Sequence, residues 1–156
     1  MADISAIFFI LLITSIAFPA MLAAWWLLFP SLITRAQTRI EKSLARSFWL
    51  GLVIIIAVTI PIVILLALPF GPAKFIGWIL IAASLALSSI GSAGIAAHLG
   101  ERMKQAGNPC TSLGAFMRGS VVLELATFFP ILGWFFLLPL ALITAFGATG
   151  FALLNW

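Results

Sequence analysis

The sequence predicts an all-α integral membrane protein, a bundle of four to five transmembrane helices with an amphipathic basic helix at the inner surface. Three observations predict this class. Hydrophobic residues make up 64% of the 156-residue chain and charged residues 8%, and the mean hydropathy is +1.28. A soluble fold of this length would leave too much apolar surface in water. The charged residues also concentrate in short breaks between apolar runs, and each run approaches the roughly 20 residues that cross a bilayer as a helix.

The apolar runs give the helices in chain order. The predicted spans cover residues 4–29, 48–68, 75–97, 113–129 and 134–155, and the basic connections cover residues 31–47 and 99–112. The first run lacks a positive flank and is longer than the apolar core of a signal peptide, so we expect a retained helix. Pro130 and Gly133 predict a sharp turn between the last two spans. Alternatively, Pro130 is a kink or the tip of a re-entrant hairpin, which gives four spans.

Lysine and arginine positions predict the orientation, because short cytoplasmic connections collect positive charge. Almost all of these residues lie in or beside the first and third connections, whereas the second holds only Lys74. We therefore expect a multi-pass protein of a bacterial inner membrane, with the N-terminus outside and the C-terminus inside. Cys110 lies in a predicted cytoplasmic connection, where thiols stay reduced, so no disulfide is expected.

Basic residues recur at helical spacing in the first connection: Arg35, Arg39, Lys42 and Arg46. The apolar residues between them fall largely on another face, which predicts an amphipathic helix on the inner membrane surface. Its basic face is expected to contact anionic lipid headgroups, at about 1 kcal/mol per charge near the surface, or an acidic partner.

Small residues recur at every fourth position of the third span: Ser84, Ser88, Ser92, Ala96 and Gly100. This pattern predicts a helix-packing face, since small side chains let backbones approach and serine hydroxyls bond across the contact. A similar strip, including Ala141, Ala145 and Thr149, follows the last span. The two strips either face each other within the chain or leave one face for another subunit, so a homo-oligomer is compatible with the pattern.

Glu124 is the acidic residue deepest inside an apolar run and the candidate intramembrane polar site. An ionised carboxylate in hydrocarbon is costly unless it is paired or protonated. Glu124 therefore either belongs to a site that handles protons or cations, or is satisfied structurally by a basic group near the inner face. The candidates for that structural partner are Arg102, Arg118 and His98.

His98, at the inner end of the third span, would ligate a haem or chlorophyll if such a cofactor is present; otherwise it is simply hydrogen-bonded, and no cofactor is expected. The sequence contains no Cys/His metal motif, phosphate-binding loop or nucleophile elbow. We therefore predict that the protein is not an enzyme and binds no metal. Basic charge beside apolar runs indicates lipid contact and not nucleic-acid binding.

The order of segments resembles a known module. A basic segment, SLITRAQTRIEKSLARS at residues 31–47, precedes two spans, and a final hairpin carries FPILGW at residues 129–134. From about Leu32 to Leu154 the chain resembles the hydrophobic module attached to some bacterial polymer-forming cytoskeletal (bactofilin-like) proteins. The β-helical filament domain of those proteins is missing here, so a filament-forming role is not carried over. The resemblance implies a membrane-embedded helical module without catalytic residues.

Three functional hypotheses follow. The first is a non-enzymatic accessory or scaffold subunit that packs its small-residue faces and basic helix against a larger membrane-protein complex, possible hosts being respiratory or photosynthetic complexes. The alternative is a small oligomeric channel or transporter in which Glu124 and the serine-rich third span line a polar path. In a transporter Glu124 should face a hydrated cavity with Ser88 or Ser92 nearby, whereas in a scaffold a basic side chain should cap it. A pigment- or haem-associated subunit using His98 is a third hypothesis.

Overall fold

The computed structural model describes residues 2–107, 111–129 and 131–154, and these residues fold as helices without strands. The all-α prediction is therefore confirmed over these ranges. Pro130 lies outside them, but a break follows Phe128 as predicted. The elements are α1 (Ala2–Leu28), α2 (Pro30–Lys42), α3 (Leu44–Ala67), α4 (Gly71–Gln105), α5 (Ser112–Phe128), a π-helical turn (Gly133–Leu137) and α6 (Leu138–Leu154).

Three helical segments of the described residues are long and apolar enough to cross a membrane alone, namely Leu44–Ala67, Gly71–Gln105 and Gly133–Leu153. A fourth arises if α1 and α2 are counted as one bent span. The predicted span at 113–129 corresponds to α5, whose 17 residues extend about 26 Å, less than a hydrocarbon core of roughly 30 Å. The chain thus has three to four candidate spans, and the five-span count stays a prediction.

The bend between α1 and α2 follows from the chemistry of proline. Pro30 has no N–H and restricts the residue before it, and Phe29 has φ −130° and ψ 56°. The N–H of Phe29 donates to the Trp25 carbonyl at 2.9 Å, and the Phe29 carbonyl accepts from Ile33 N–H at 3.2 Å. The backbone therefore stays hydrogen-bonded while Leu12–Leu28 and Pro30–Lys42 meet at 107°.

The basic segment is not one amphipathic helix, because it divides at Ser43. This residue is extended, with φ −165° and ψ 92°, and its N–H closes α2 on the Arg39 carbonyl. Its hydroxyl accepts a hydrogen bond from the N–H of Arg46 at 3.3 Å, which caps the first turn of α3. A serine that satisfies a free N–H at a helix start favours such a break. Arg46 therefore belongs to α3, which corrects the predicted extent of the basic helix.

The apolar face of α2 is covered by other helices, and its predicted location at the inner membrane surface stays a prediction. Its apolar face is buried against α4 and α6, and Ile33, Ala36 and Ile40 are all buried. Small residues on the facing helices permit this approach: the Ala36 Cβ lies 2.9 Å from where a Cβ on Gly94 would lie. The apolar face of α2 is therefore buried in the helix bundle.

α4 is the central helix and contacts α1, α2, α3, α5 and α6. Close backbone contacts occur at three crossings, because glycine has no Cβ to hold the helices apart. At the α4–α5 crossing Gly100 lies against the Ala115 carbonyl, and at the α4–α6 crossing Gly91 lies against Ala145. At the α3–α6 crossing Gly147 lies against the Ser47 carbonyl.

The single cysteine offers a test of the predicted orientation. Cys110 lies outside the described residues, but it belongs to the connection between α4 and α5, which the charge pattern predicts to be cytoplasmic. We expect a membrane-impermeant maleimide to label Cys110 in opened membranes and not in intact cells. A Lys74→Cys, Cys110→Ser variant is the control and should be labelled in intact cells. The reverse pattern would mean that the N-terminus is inside.

Candidate functional site

Glu124 lies on α5, about 18 Å along the helix from Ser112. Its side chain is buried, with 5% of its surface exposed. Ser120, one turn earlier, and the neighbouring Leu123 are buried as well. The carboxyl group therefore lies within the helix bundle and not at its charged end.

The carboxyl group of Glu124 is only partly satisfied. Among the described residues, its Oε1 has no hydrogen-bond partner. Its polar neighbour is the Ser15 hydroxyl on α1. Ser15 itself is exposed. A hydroxyl from another helix thus lies beside the carboxyl group, while one carboxyl oxygen is buried without a partner in the described residues.

The predicted basic partners of Glu124 lie elsewhere. His98 contacts Glu41, with 3.4 Å between His98 Nδ1 and Glu41 Oε1. Arg102 lies beside the same pair, and Arg118 is exposed on α5. The ion pairs found in the described part of the chain do not include Glu124. The expectation of a basic cap is therefore wrong. Arg118 and Glu124 are six residues apart on α5, so their side chains leave the helix in different directions.

The small-residue strip of α4 is used for packing within the chain. Ser88, Ser92, Ala96 and Gly100 are buried, and Ser84 is half-buried. The lower part of the strip contacts α5, since a Cβ on Gly119 would overlap the Ala96 carbonyl. These observations favour the intramolecular alternative for the strip over a face left for another subunit.

The serine hydroxyls of α4 differ in their hydrogen bonds. Ser92 donates to the Ser88 carbonyl at 2.9 Å, and Ser84 donates to the Leu80 carbonyl at 2.7 Å. The Ser88 hydroxyl is buried and has no partner among the described residues. It lines a mostly apolar groove of about 620 Å³ between α1 and α4, together with Phe18.

A smaller cavity lies near the turn of α5 that carries Glu124. Its volume is about 160 Å³, and its lining includes Phe18, Ser92, Leu123 and Thr127. The Thr127 hydroxyl donates to the Glu124 carbonyl at 2.8 Å. The remaining lining residues are apolar, and Glu124 itself is not among them. The Ser92 and Thr127 hydroxyls are therefore the polar groups of an otherwise apolar space.

The charged ends of α2 and α4 meet at a polar cavity of about 190 Å³. Its lining residues are Glu41, His98, Glu101, Arg102 and Gln105. This volume is below the range of about 300–1,000 Å³ typical of ligand pockets, and Nδ1 of His98 already faces Glu41. The surroundings of His98 therefore do not fit a haem or chlorophyll. No group of three or more His, Cys, Asp or Glu side chains in the described ranges is placed to hold a metal ion.

The four predicted lipid-contact residues have separate positions. Arg35 and Lys42 are exposed on α2, and Arg46 is exposed in the first turn of α3. Arg39 is half-buried, and its guanidinium lies 4.8 Å from the centre of the Phe151 ring. Three of the four are thus oriented outward, where contact with anionic headgroups stays a prediction.

Ser15 is the residue of this site that the sequence did not indicate. A serine in an apolar run is common and carries no signal by itself. The available clue was Pro19, four residues later, because proline inside a helix releases the carbonyl one turn before it.

No family model matches the sequence, and neither a curated protein nor a solved structure matches the chain. The resemblance to bactofilin-like membrane modules therefore stays a prediction.

Proposed function

We propose that this protein carries protons or small monovalent cations across a membrane and that Glu124 is the group that binds the ion. One observation carries the proposal: the buried Glu124 carboxyl group has a free oxygen and no basic partner within the described residues. Its position on α5, between apolar neighbours, is one where a carboxyl group serves no evident packing purpose.

The cost of this arrangement supports a functional reason for it. An acidic side chain at the centre of a membrane helix costs about 2.5–3.5 kcal/mol in insertion experiments, and such residues commonly mark ion or proton pathways. A carboxylate that is paired with a bound cation or proton is neutral, and the cost then falls. Binding and release of the ion would thus be coupled to the charge of Glu124.

Neutral polar groups near this part of α5 are suited to this role, although Glu124 does not itself line the cavity. Ser92 and Thr127 line the 160 Å³ cavity next to its turn of α5, and Ser15 contacts the carboxyl group from α1. Their oxygens are neutral and accept hydrogen bonds from water or contacts from cations. This matches the transporter hypothesis more closely than a scaffold, for which a basic cap is expected.

The accessory-subunit hypothesis receives less support from the packing. The small-residue face of α4 and the apolar face of α2 are both buried inside the chain, so neither is available for a larger partner. Large apolar side chains are exposed on α1 and α3, but lipid contact explains them equally well. Membership of a respiratory or photosynthetic complex therefore stays a prediction from the sequence.

The proposal is tested by reconstituting the full-length protein in liposomes that contain a pH-sensitive or a sodium-sensitive dye. A potassium diffusion potential drives cation entry. We expect proton or sodium entry above that of protein-free liposomes, and we expect Glu124→Gln to reduce it to that background, because the amide is neutral and does not ionise.

Glu101→Gln is the matched control for this experiment. Glu101 lies near the C-terminal end of α4, 4.0 Å from the Lys104 amine, and is partly exposed. The variant should retain the wild-type flux. Wild-type flux no greater than that of protein-free liposomes, or equal flux in the wild type and Glu124→Gln, would contradict the proposed function.

A further inference from the structure

We propose that Ser15 and Glu124 together form a coordination site for a monovalent alkali cation such as sodium, at the contact between α1 and α5. The inference deepens the proposed function and rests on it for the role of Glu124. It identifies the transported ion as a metal cation and adds α1 as the second half of the site.

Pro19 leaves one carbonyl group of α1 without its helical hydrogen bond. It lies inside α1 and is buried. In an α-helix the N–H of each residue donates to the carbonyl four residues earlier, and proline has no N–H. The Ser15 carbonyl therefore lacks its regular helical donor. Because residues four apart lie on the same helix face, this carbonyl belongs to the face of α1 that contains both Ser15 and the buried Pro19.

Oxygen atoms of Ser15 and Glu124 come together where α1 contacts α5. The Ser15 hydroxyl contacts the Glu124 carboxyl group, and Glu124 Oε1 is buried without a partner in the described part of the chain. Ser15, whose side chain is exposed, thus brings a hydroxyl oxygen to the carboxylate, and the carbonyl oxygen released by Pro19 belongs to the same residue. Alkali cations are hard ions that prefer such oxygen ligands.

Similar combinations occur in membrane transporters generally, where carbonyl groups released from interrupted helices coordinate sodium ions near the middle of the bilayer. In α1 the interruption is a single missing hydrogen bond, since the helix continues from Ala2 to Leu28. Ser15 would therefore provide two ligands without local unwinding, and Glu124 would provide the charge.

Charge balance selects the valence of the ion. One carboxylate and one monovalent cation form a neutral pair, whereas a divalent ion would leave a net positive charge among apolar side chains, where charges are poorly screened. A proton would also neutralise Glu124. It would need one acceptor only, however, and so would not use the hydroxyl and the carbonyl of Ser15 together.

The test is the thermal unfolding of the purified full-length protein in detergent, with lithium, sodium, potassium or choline chloride at equal ionic strength. A ligand that binds the folded state raises the unfolding temperature in a saturable way. We expect a saturable increase with sodium relative to choline. Glu124→Gln and Ser15→Ala should both lose this increase, and their unfolding in choline shows whether they fold.

Two further variants separate coordination from general effects on α1. Pro19→Ala returns a donor to the Ser15 carbonyl, so it should weaken sodium binding by about tenfold, as expected when a ligand is redirected. Thr14→Val removes the neighbouring hydroxyl of α1, which donates to the Ile10 carbonyl at 2.8 Å. It should leave the sodium dependence unchanged.

The outcomes distinguish this inference from the proposed function. If no alkali cation stabilises the wild type but acidification does, and Glu124→Gln removes that effect, Glu124 is a proton site; the cation inference is then overturned and proton transport stands. If sodium stabilises the wild type and Glu124→Gln equally, the inference also fails. Sodium binding that depends on Ser15 and Glu124, without any flux in liposomes, would support the site and contradict the transport function.

Discussion

Replacement of Gly147 by valine is expected to prevent α3 and α6 from packing and to lower the free energy of unfolding by about 3 kcal/mol or more. A Cβ at Gly147 would overlap the Ser47 carbonyl oxygen and approach the backbone nitrogen of Gly51 at 2.8 Å. These are backbone atoms, which cannot rotate away as a side chain can, so the helices must separate along the whole crossing. The measurement is the unfolding temperature in detergent and the yield of monodisperse protein.

Gly71→Val is the matched control for that substitution. Gly71 is the first residue of α4, and no atom lies within 4 Å of the Cβ that it lacks. We expect a change within about 0.5 kcal/mol, the usual range for surface positions. Equal stability of the two variants would mean that the α3–α6 crossing is more open than the structure indicates.

Replacement of Glu124 by leucine is expected to raise the free energy of unfolding by about 1–3 kcal/mol and to abolish ion movement. Leucine is close to glutamate in size and removes a buried carboxyl group that has an unpartnered oxygen. Substitution of poorly compensated buried charged groups by apolar residues is often stabilising by this amount. Unfolding in detergent, without added alkali cation, measures the change.

The control for this second substitution is Glu101→Leu, at the partly exposed end of α4. Its free energy of unfolding should change little, because its carboxylate is hydrated in the wild type. A lower unfolding temperature for Glu124→Leu than for the wild type would show that the carboxyl group of Glu124 stabilises the fold. A structural role would then explain why this carboxyl group is buried.

Much of the fold could be predicted from local features of the chain. Apolar run length predicted α3 and α4, and the residues around Pro130 predicted the break between α5 and α6. The division of the basic segment at Ser43 was missed because serine caps a helix only when the backbone leaves the helical region, which the charge pattern does not report. The burial of α2 was missed because amphipathicity predicts an apolar face and not what covers it.

The candidate site also combines a feature that local sequence predicts with features that depend on tertiary contacts. Glu124 stands out in the sequence because one carboxyl group in an apolar run is rare and costly. Its relation to Ser15 depends on how α1 crosses α5, and its distance from any basic partner depends on the direction in which each side chain leaves its helix. Both properties depend on contacts between distant segments and not on neighbouring residues. The sequence alone therefore favoured a basic partner that the structure does not place beside Glu124.

The sequence by itself determined that this protein is helical, that its helices are long and apolar enough to span a membrane, and that one carboxyl group lies among apolar residues. These properties follow from composition and run length, which act along the chain. Only the tertiary structure decided which helices cross at Gly91, Gly100 and Gly147, that α2 is buried, and that Ser15 covers Glu124. Those features depend on contacts between distant segments, and backbone approach at residues without a Cβ selects among many crossings that the same apolar pattern allows.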